Sequence, residues 1–176
     1  EYGKGLLEFV PENNNQSILD FGCGTGILTV QLKKLAEVVI GVDSSESMIK
    51  WAQQQYPDIK FIVSDALALP FVEQFDVVFS NAVFHWITDH NALLNNIHKV
   101  LKPGGLLVCE FGANGNIATI ENAFMRVSKD LRYEYSPKFN FPTSEYFAAL
   151  LRKNGFVIDK IYDYDRPTPL KDNEKG

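Results

Sequence analysis

The chain predicts a doubly wound, mostly parallel α/β sheet. Three observations carry that expectation. Short apolar runs alternate with helical patterns along almost the whole chain, which is the signature of βαβ units. The runs are near-continuously apolar, as strands covered on both faces must be. The first run passes directly into a glycine-rich turn and then a helical stripe. In open parallel sheets that is where a ligand crevice forms.

Each element follows in order. Residues 17–21 (Ser-Ile-Leu-Asp-Phe) read as a short buried strand, followed at once by Gly22-Cys23-Gly24-Thr25-Gly26. Leu28, Leu32 and Leu35 then recur at helical spacing. Residues 38–42 form a second strand, β-branched at most positions. Ser44 and Ser45 offer cap oxygens to a helix carrying Met48, Ile49, Trp51, Ala52 and Tyr56, which Pro57-Asp58 ends. Residues 59–63 and 75–80 are the third and fourth strands. The stretch 66–70 between them is short for a helix. A helix starts near Thr88 or Asp89, buries Leu93, Ile97, Val100 and Leu101, and stops at Lys102-Pro103-Gly104-Gly105. Residues 106–111 are a fifth strand and 117–129 a helix. Thr143 or Ser144 caps another helix, running to Asn154-Gly155. Residues 156–162 complete the pattern as a sixth strand.

Composition bounds the function. A chain of 176 residues buries roughly 70% of its unfolded surface, so it forms a core without staples. The apolar share of 45% and charged share of 22% are those of a globular domain. No apolar run reaches the roughly 18–20 residues of a membrane span. A net charge of −5 offers no broad cationic surface to nucleic acid or anionic lipid. Two cysteines, Cys23 and Cys109, are too few for a secreted framework and suit a reducing cytoplasm.

The chemistry sits at the glycine turn. Glycines there permit positive φ and let a ligand approach the backbone. The second strand ends in Asp43. It is either a helix-capping acid or an acceptor for both hydroxyls of a ribose. Strand, glycine turn, helix, strand and acid stand in the order of a nucleoside site. A dinucleotide site wants a third glycine where Ile27 stands. Asp20, two residues before the first glycine, would repel a pyrophosphate and favour a cation. S-adenosylmethionine carries a sulfonium and an ammonium but no phosphate, so charge prefers it to NAD.

At these residues the chain resembles a known family. Residues 18–26 look like motif I of the class I S-adenosylmethionine-dependent methyltransferases, and residues 41–48 look like the ribose motif that follows. Ser64-Asp65-Ala66 resembles the adenine motif, residues 75–82 motif IV, and residues 101–105 the turn before the fifth strand. The resemblance spans roughly residues 3–166. More narrowly, residues 80–86, 111–116 and 165–170 are similar to the trans-aconitate methyltransferases. That group is itself similar to the malonyl-carrier-protein methyltransferases, which form methyl esters.

The resemblance implies roles. Asp20 and the backbone of Gly22, Cys23 and Gly24 face the methionine part of the cofactor. Asp43 holds the ribose. Ser44 and Met48 flank the adenine, unless Met48 packs in the core. Asp65, with Ala66 beside it, accepts from the adenine amino group, or it caps a turn. Asn81 lies beside the sulfonium, mostly through its backbone oxygen, or simply ends its strand. His85 and Trp86 wall the pocket of a small-molecule acceptor, with His85 a hydrogen-bond donor or a base. Their alternative is packing under the next helix. Arg126, Arg132 and Arg166 are candidate carboxylate clamps. Cys23 and Cys109 fill apolar space. His85, His90 and His98 lack the spacing of a metal site. An NAD-dependent oxidoreductase and a non-catalytic S-adenosylmethionine-binding protein remain as alternatives. The family's sheet has a seventh, antiparallel strand between its fifth and sixth. The resemblance therefore sets the domain at residues 1–166, leaves 167–176 as a polar tail, and implies a longer parent protein.

Overall fold

The computed structural model describes residues 3–166. Five strands form one sheet: β1 (Ser17–Phe21), β2 (Val38–Asp43), β3 (Lys60–Val63), β4 (Phe75–Asn81) and β5 (Leu101–Glu110). Their order is β3-β2-β1-β4-β5, every neighbouring pair parallel. The helices are α1 (Thr29–Leu32), α2 (Glu46–Gln55), α3 (His90–Val100), α4 (Ala118–Asp130) and α5 (Ser144–Lys153). Two 3-10 turns, Gly5–Phe9 and Phe84–Trp86, complete the regular structure. The sheet runs outward from β1 in both directions, so the switch point lies between β1 and β4.

The strands alternate their side chains between two covered faces. Leu19, Phe21, Ile40, Val42 and Val78 face the cluster built with α3 and α5 through Leu93, Leu94, Ile97, Phe147 and Leu150. Ile18, Val39, Val77, Phe79 and Val108 face Leu6, Val10, Leu32 and Ala36 on the other side. A third cluster packs Ile49 and Ala52 of α2 on Cys23, Ile59 and Phe61. Caps come from Ser45 to Met48 N–H, Asp89 to Ala92 N–H and Thr143 to Tyr146 N–H. Each oxygen satisfies a donor that the first helical turn leaves open.

Two expectations change. The Lys102-Pro103-Gly104-Gly105 turn lies inside β5 rather than before it. β5 pairs Leu101 with Phe75 and then Leu106 with Val77, so residues 102–105 bulge between two paired segments. The sixth strand does not form. Residues 156–162 run without regular structure, and Val157 stays 96% exposed. This segment packs Phe156 on His98 at one end and brings Tyr164 and Arg166 to Glu110 at the other. Between it and β5 lies an open cleft of about 2360 Å3. A strand exists through its ladder, and across that cleft residues 156–162 have no ladder to join. The cleft lies where the resemblance sets its last strand. The tail expected over 167–176 lies outside the described residues. Among the described residues no helix is long and apolar enough to cross a membrane.

Asp76 ties the base of the sheet together. Its Oδ2 accepts from Ser17 N–H and Ser17 Oγ, each at 2.8 Å, and Lys102 Nζ lies at 2.8 Å. Desolvation raises its pKa, but the bonds from Lys102 and Ser17 outweigh it and hold the carboxyl at about 2. A carboxyl held below its ordinary 3.8 stabilises the fold above that value, and the effect is lost as pH falls through about 2. Asp76→Asn is expected to lower Tm by about 2–4 °C at neutral pH. The gap to the parent chain should close as thermal scans move from about pH 4 toward pH 2.

Candidate functional site

The site forms where β1, β2 and β4 end. β1 pairs in parallel with both neighbours, so the chain must turn out of the sheet at its end and cross over before it joins β2. Gly22, Gly24 and Gly26 carry φ of 74°, 53° and 79°. The first two differ in purpose. A Cβ at Gly22 would stand 2.1 Å from Val83 Cγ2, so that glycine admits a neighbouring side chain. A Cβ at Gly24 would meet nothing within 4 Å, so that glycine faces open space.

Asp43 is fastened to this turn. Its Oδ2 accepts from Gly24 N–H at 2.9 Å and its Oδ1 from Ser45 N–H at 2.8 Å. It does not cap α2, because Ser45 does. Both oxygens keep lone pairs beyond these bonds. Ser44 is exposed, and so is Met48, at 43%. The core face of α2 is Ile49 and Ala52, so Met48 is not core material. Asp65 Oδ1 accepts from Leu67 N–H at 2.7 Å, which makes it a turn cap, with Ala66 half-buried beside it.

Asp20 is fully buried behind the turn. Thr29 Oγ1 donates to its Oδ2 at 2.6 Å. Burial raises its pKa to about 7, against the lowering effect of the Thr29 bond, and nearby Asp43 raises it further. Cys23 lies buried next to the two acids, and burial with their charge pushes its thiol up. Cys109 is pushed up to about 12 by burial. Neither thiol is poised as a nucleophile.

At the end of β4, Asn81 exposes a problem of satisfaction. Its side-chain Oδ1 is buried and has no hydrogen-bond partner among the described residues. The next residue, Ala82, takes φ of 61° while its N–H donates to Glu110 O at 2.7 Å. That conformation is strained for a residue with a Cβ. The expectation had stressed the backbone oxygen of Asn81. The structure directs attention to its amide.

His85 and Trp86 lie in the 3-10 turn after β4. His85 is not packed under α3. The histidine in the core is His90, 2% exposed against Phe111 and Phe147. His85 Nδ1 accepts from Gly112 N–H at 3.2 Å. That bond places the ring proton on Nε2 in the neutral form, and desolvation lowers its pKa. Phe141 stacks on the imidazole at 5.5 Å, and Phe139 meets Trp86 edge-on at 4.5 Å. His85 also lines the cleft with Glu110 and Arg166. Arg166 Nη1 is paired with Glu110, while Arg126 and Arg132 are exposed on or just beyond α4. Among the described residues no group of His, Cys, Asp and Glu could hold a metal.

Sequence reasoning missed Thr29, Gly112, Phe139, Asn140 and Phe141, and it touched Ala82 only as part of the strings 75–82 and 80–86. Gly112 carried a signal, since residues 111–116 and 80–86 were singled out as separate strings and here hydrogen-bond to each other. The others follow no periodicity.

The residues fit the expected cofactor. The space over Gly24 admits a ligand against the backbone. Asp43 is a carboxylate fixed at the end of β2 with lone pairs left to accept further donors, such as hydroxyls. The buried Asn81 Oδ1 calls for a donor such as an ammonium, since leaving it unmet costs about 1–3 kcal/mol.

Comparisons with known proteins agree. Residues 19–109, from β1 through nearly all of β5, match the family model described as a methyltransferase domain. An uncharacterized methyltransferase of Schizosaccharomyces pombe is 30% identical, over 95% of this chain and 69% of its own length. A trans-aconitate 2-methyltransferase of Deinococcus radiodurans is 36% identical over 66% of this chain, which spans 45% of that enzyme. A solved structure of a Haemonchus contortus phosphoethanolamine N-methyltransferase, holding phosphomonomethylethanolamine and S-adenosylhomocysteine, superposes with a TM-score of 0.69. It is 26% identical and covers 86% of this chain and 35% of that one.

Two outcomes are expected at this site. Gly24→Val places a side chain where no protein atom stands. It should weaken S-adenosylhomocysteine binding by calorimetry at least about tenfold, while the φ strain costs only about 1–2 kcal/mol of stability. Normal affinity would move the site elsewhere. Asp20 sets a pH dependence. A carboxyl raised to about 7 lowers stability as pH climbs from about 4 to 7, because the fold must bury the charge. A cationic ligand favours the ionised form, so its affinity should rise by about tenfold between about pH 6 and 8. Asp20→Asn should flatten that rise.

Proposed function

The chain belongs to the class I S-adenosylmethionine-dependent methyltransferases, and from that premise we propose that it methylates a carboxylate oxygen of a small-molecule acceptor. One observation carries the reading. His85 receives the Gly112 N–H on Nδ1, so its free nitrogen is a donor and not a base. An amine, phenol or carbon acid needs a base to lose its proton. A carboxylate is already ionised at neutral pH and needs only alignment. The similarity to a trans-aconitate 2-methyltransferase supports the same acceptor chemistry.

The cofactor, S-adenosylmethionine, supplies an electrophilic methyl group on a sulfonium. The residues of this chain do the positioning. Asp43 holds the ribose, Ser44 and Met48 flank the adenine, and Asp65 with Ala66 borders its amino edge. Gly22, Cys23 and Gly24 lay their backbone along the methionine part, with Asp20 behind them supplying negative charge. Asn81 turns its amide oxygen to the ammonium. His85 donates Nε2–H to the acceptor carboxylate, and Trp86 walls it. Alignment of this kind contributes about 7–11 kcal/mol of a barrier. The NAD-dependent alternative has no support here, since Ile27 is 56% exposed where a dinucleotide site wants glycine. The two unpaired cysteines suit a reducing cytoplasm.

The test is an acceptor screen with trans-aconitate and a malonyl thioester, followed by pH profiles at saturating cofactor. His85→Ala should raise the acceptor KM about tenfold or more, with S-adenosylhomocysteine affinity within about twofold. Desolvation holds His85 below the ordinary 6.5, so the profile must run lower, and turnover of the parent chain should stay level from about pH 5 to 8.5. A rate that collapses as His85 protonates would identify a base and sink the carboxylate reading.

A further inference from the structure

The wall around His85 depends on one residue far along the chain. Asn140 lies half-buried between Phe139 and Phe141, in the irregular stretch before α5. Its N–H donates to His85 O at 2.8 Å. Its Nδ2 donates to Thr88 O at 3.0 Å and reaches His90 Nδ1 at 3.4 Å. The amide orientation follows from chemistry. Thr88 O can only accept. His90 Nε2 stands 2.9 Å from Phe84 O, another obligate acceptor, so Nε2 carries the ring proton and Nδ1 accepts. One side chain and its own N–H thus grip the 3-10 turn 84–86, the loop after it and the first residue of α3.

The grip decides where two rings lie. Phe141 stacks on His85, and Phe139 meets Trp86. The two phenyl rings lie 5.4 Å apart at an interplanar angle of 27°. Phe141 also fills the space beside Gly112, where a Cβ would stand 2.6 Å from its ring. Beyond this stretch, Pro142 is buried and Thr143 caps α5. α4, which leads into the stretch, buries none of its residues, and the next backbone tie is Asn114 N–H to Pro142 O.

We propose that Asn140 is the positioning residue of the acceptor site, and that acceptor selectivity is set by the 139–141 strap it fastens rather than by the sheet. The inference rests on His85 and Trp86 walling the acceptor. Asn140 touches no reacting atom. It fixes the aromatic face against which the acceptor lies, and it holds His85 by the main chain while Gly112 holds it by the ring.

The test uses Asn140→Asp, which keeps the shape but turns oxygen toward Thr88 O, and Asn140→Ala, which removes the side-chain ties to Thr88 and His90 and leaves the N–H bond to His85 O. Both are made in a Trp51→Phe chain, where Trp86 is the remaining tryptophan. Trp86 is 60% exposed, so its acrylamide quenching should rise by about 1.3-fold in both variants as the Phe139 contact opens. With trans-aconitate or a malonyl thioester as acceptor, KM should rise about tenfold while kcat stays within about twofold. S-adenosylhomocysteine affinity and the helical circular dichroism should not move. Unchanged quenching, or an opened wall with an unchanged KM, would overturn the proposal. A lost kcat with an unchanged KM would do the same. If the parent chain methylates neither acid, the carboxylate reading falls by itself, and the quenching of Trp86 still decides the clip.

Discussion

The constraint on which this molecule turns is the enclosure of β1. It is hydrogen-bonded to β2 on one side and β4 on the other, and its side chains are buried on both faces. Both pairings are parallel, so the chain must leave the sheet at the end of β1 and return by a crossover, and here it leaves through a tight turn. Left-handed glycines make that turn cheap. The turn falls where the strand order changes direction, so a crevice opens there without any further device. Asp43 then closes the turn onto β2 by accepting from Gly24 N–H. The same bond that ends β2 holds the carboxylate a ribose would meet.

The electrostatics of the crevice follow from the same geometry. Two carboxylates, Asp20 and Asp43, stand at neighbouring strand ends, and the Thr29 hydroxyl donates to Asp20. Burial makes that charge expensive, so the carboxyl is raised to about 7 rather than held ionised. At the end of β4 the buried Asn81 Oδ1 adds an unmet acceptor. The site is therefore short of donors and of positive charge. A cationic ligand with N–H groups relieves both deficits, whereas a pyrophosphate would worsen both. The physical preference agrees with the methyltransferase family to which residues 19–109 belong.

Much of this was legible in the sequence. The five strands, the caps Ser45, Asp89 and Thr143, and the glycine turn each depend on residues close together in the chain, and local rules reach them. The fate of residues 156–162 does not depend on local rules. Their β-branched and aromatic composition reads as a strand, but a strand is made by its partner, and a cleft stands where the partner would be. The role of Met48 was likewise undecidable from spacing, since only the rotation of α2 shows that Ile49 and Ala52 take the core face. That Asp20, Asp43 and the glycines lie together was legible, because motif order places them at neighbouring strand ends.

By itself the sequence determined five strands and the glycine turn, and it set the expectation of the sheet end a ligand meets and the charge that ligand carries. These follow from apolar periodicity, glycine placement and the position of acids at strand ends. The tertiary structure alone decided the protonation of His85 and the shape of the wall around it. Those depend on Gly112, His90 and Asn140, each brought in from a different element. A hydrogen bond across 27 or 50 residues leaves no periodic trace in the chain, because it is set by where whole elements pack and not by neighbours in sequence.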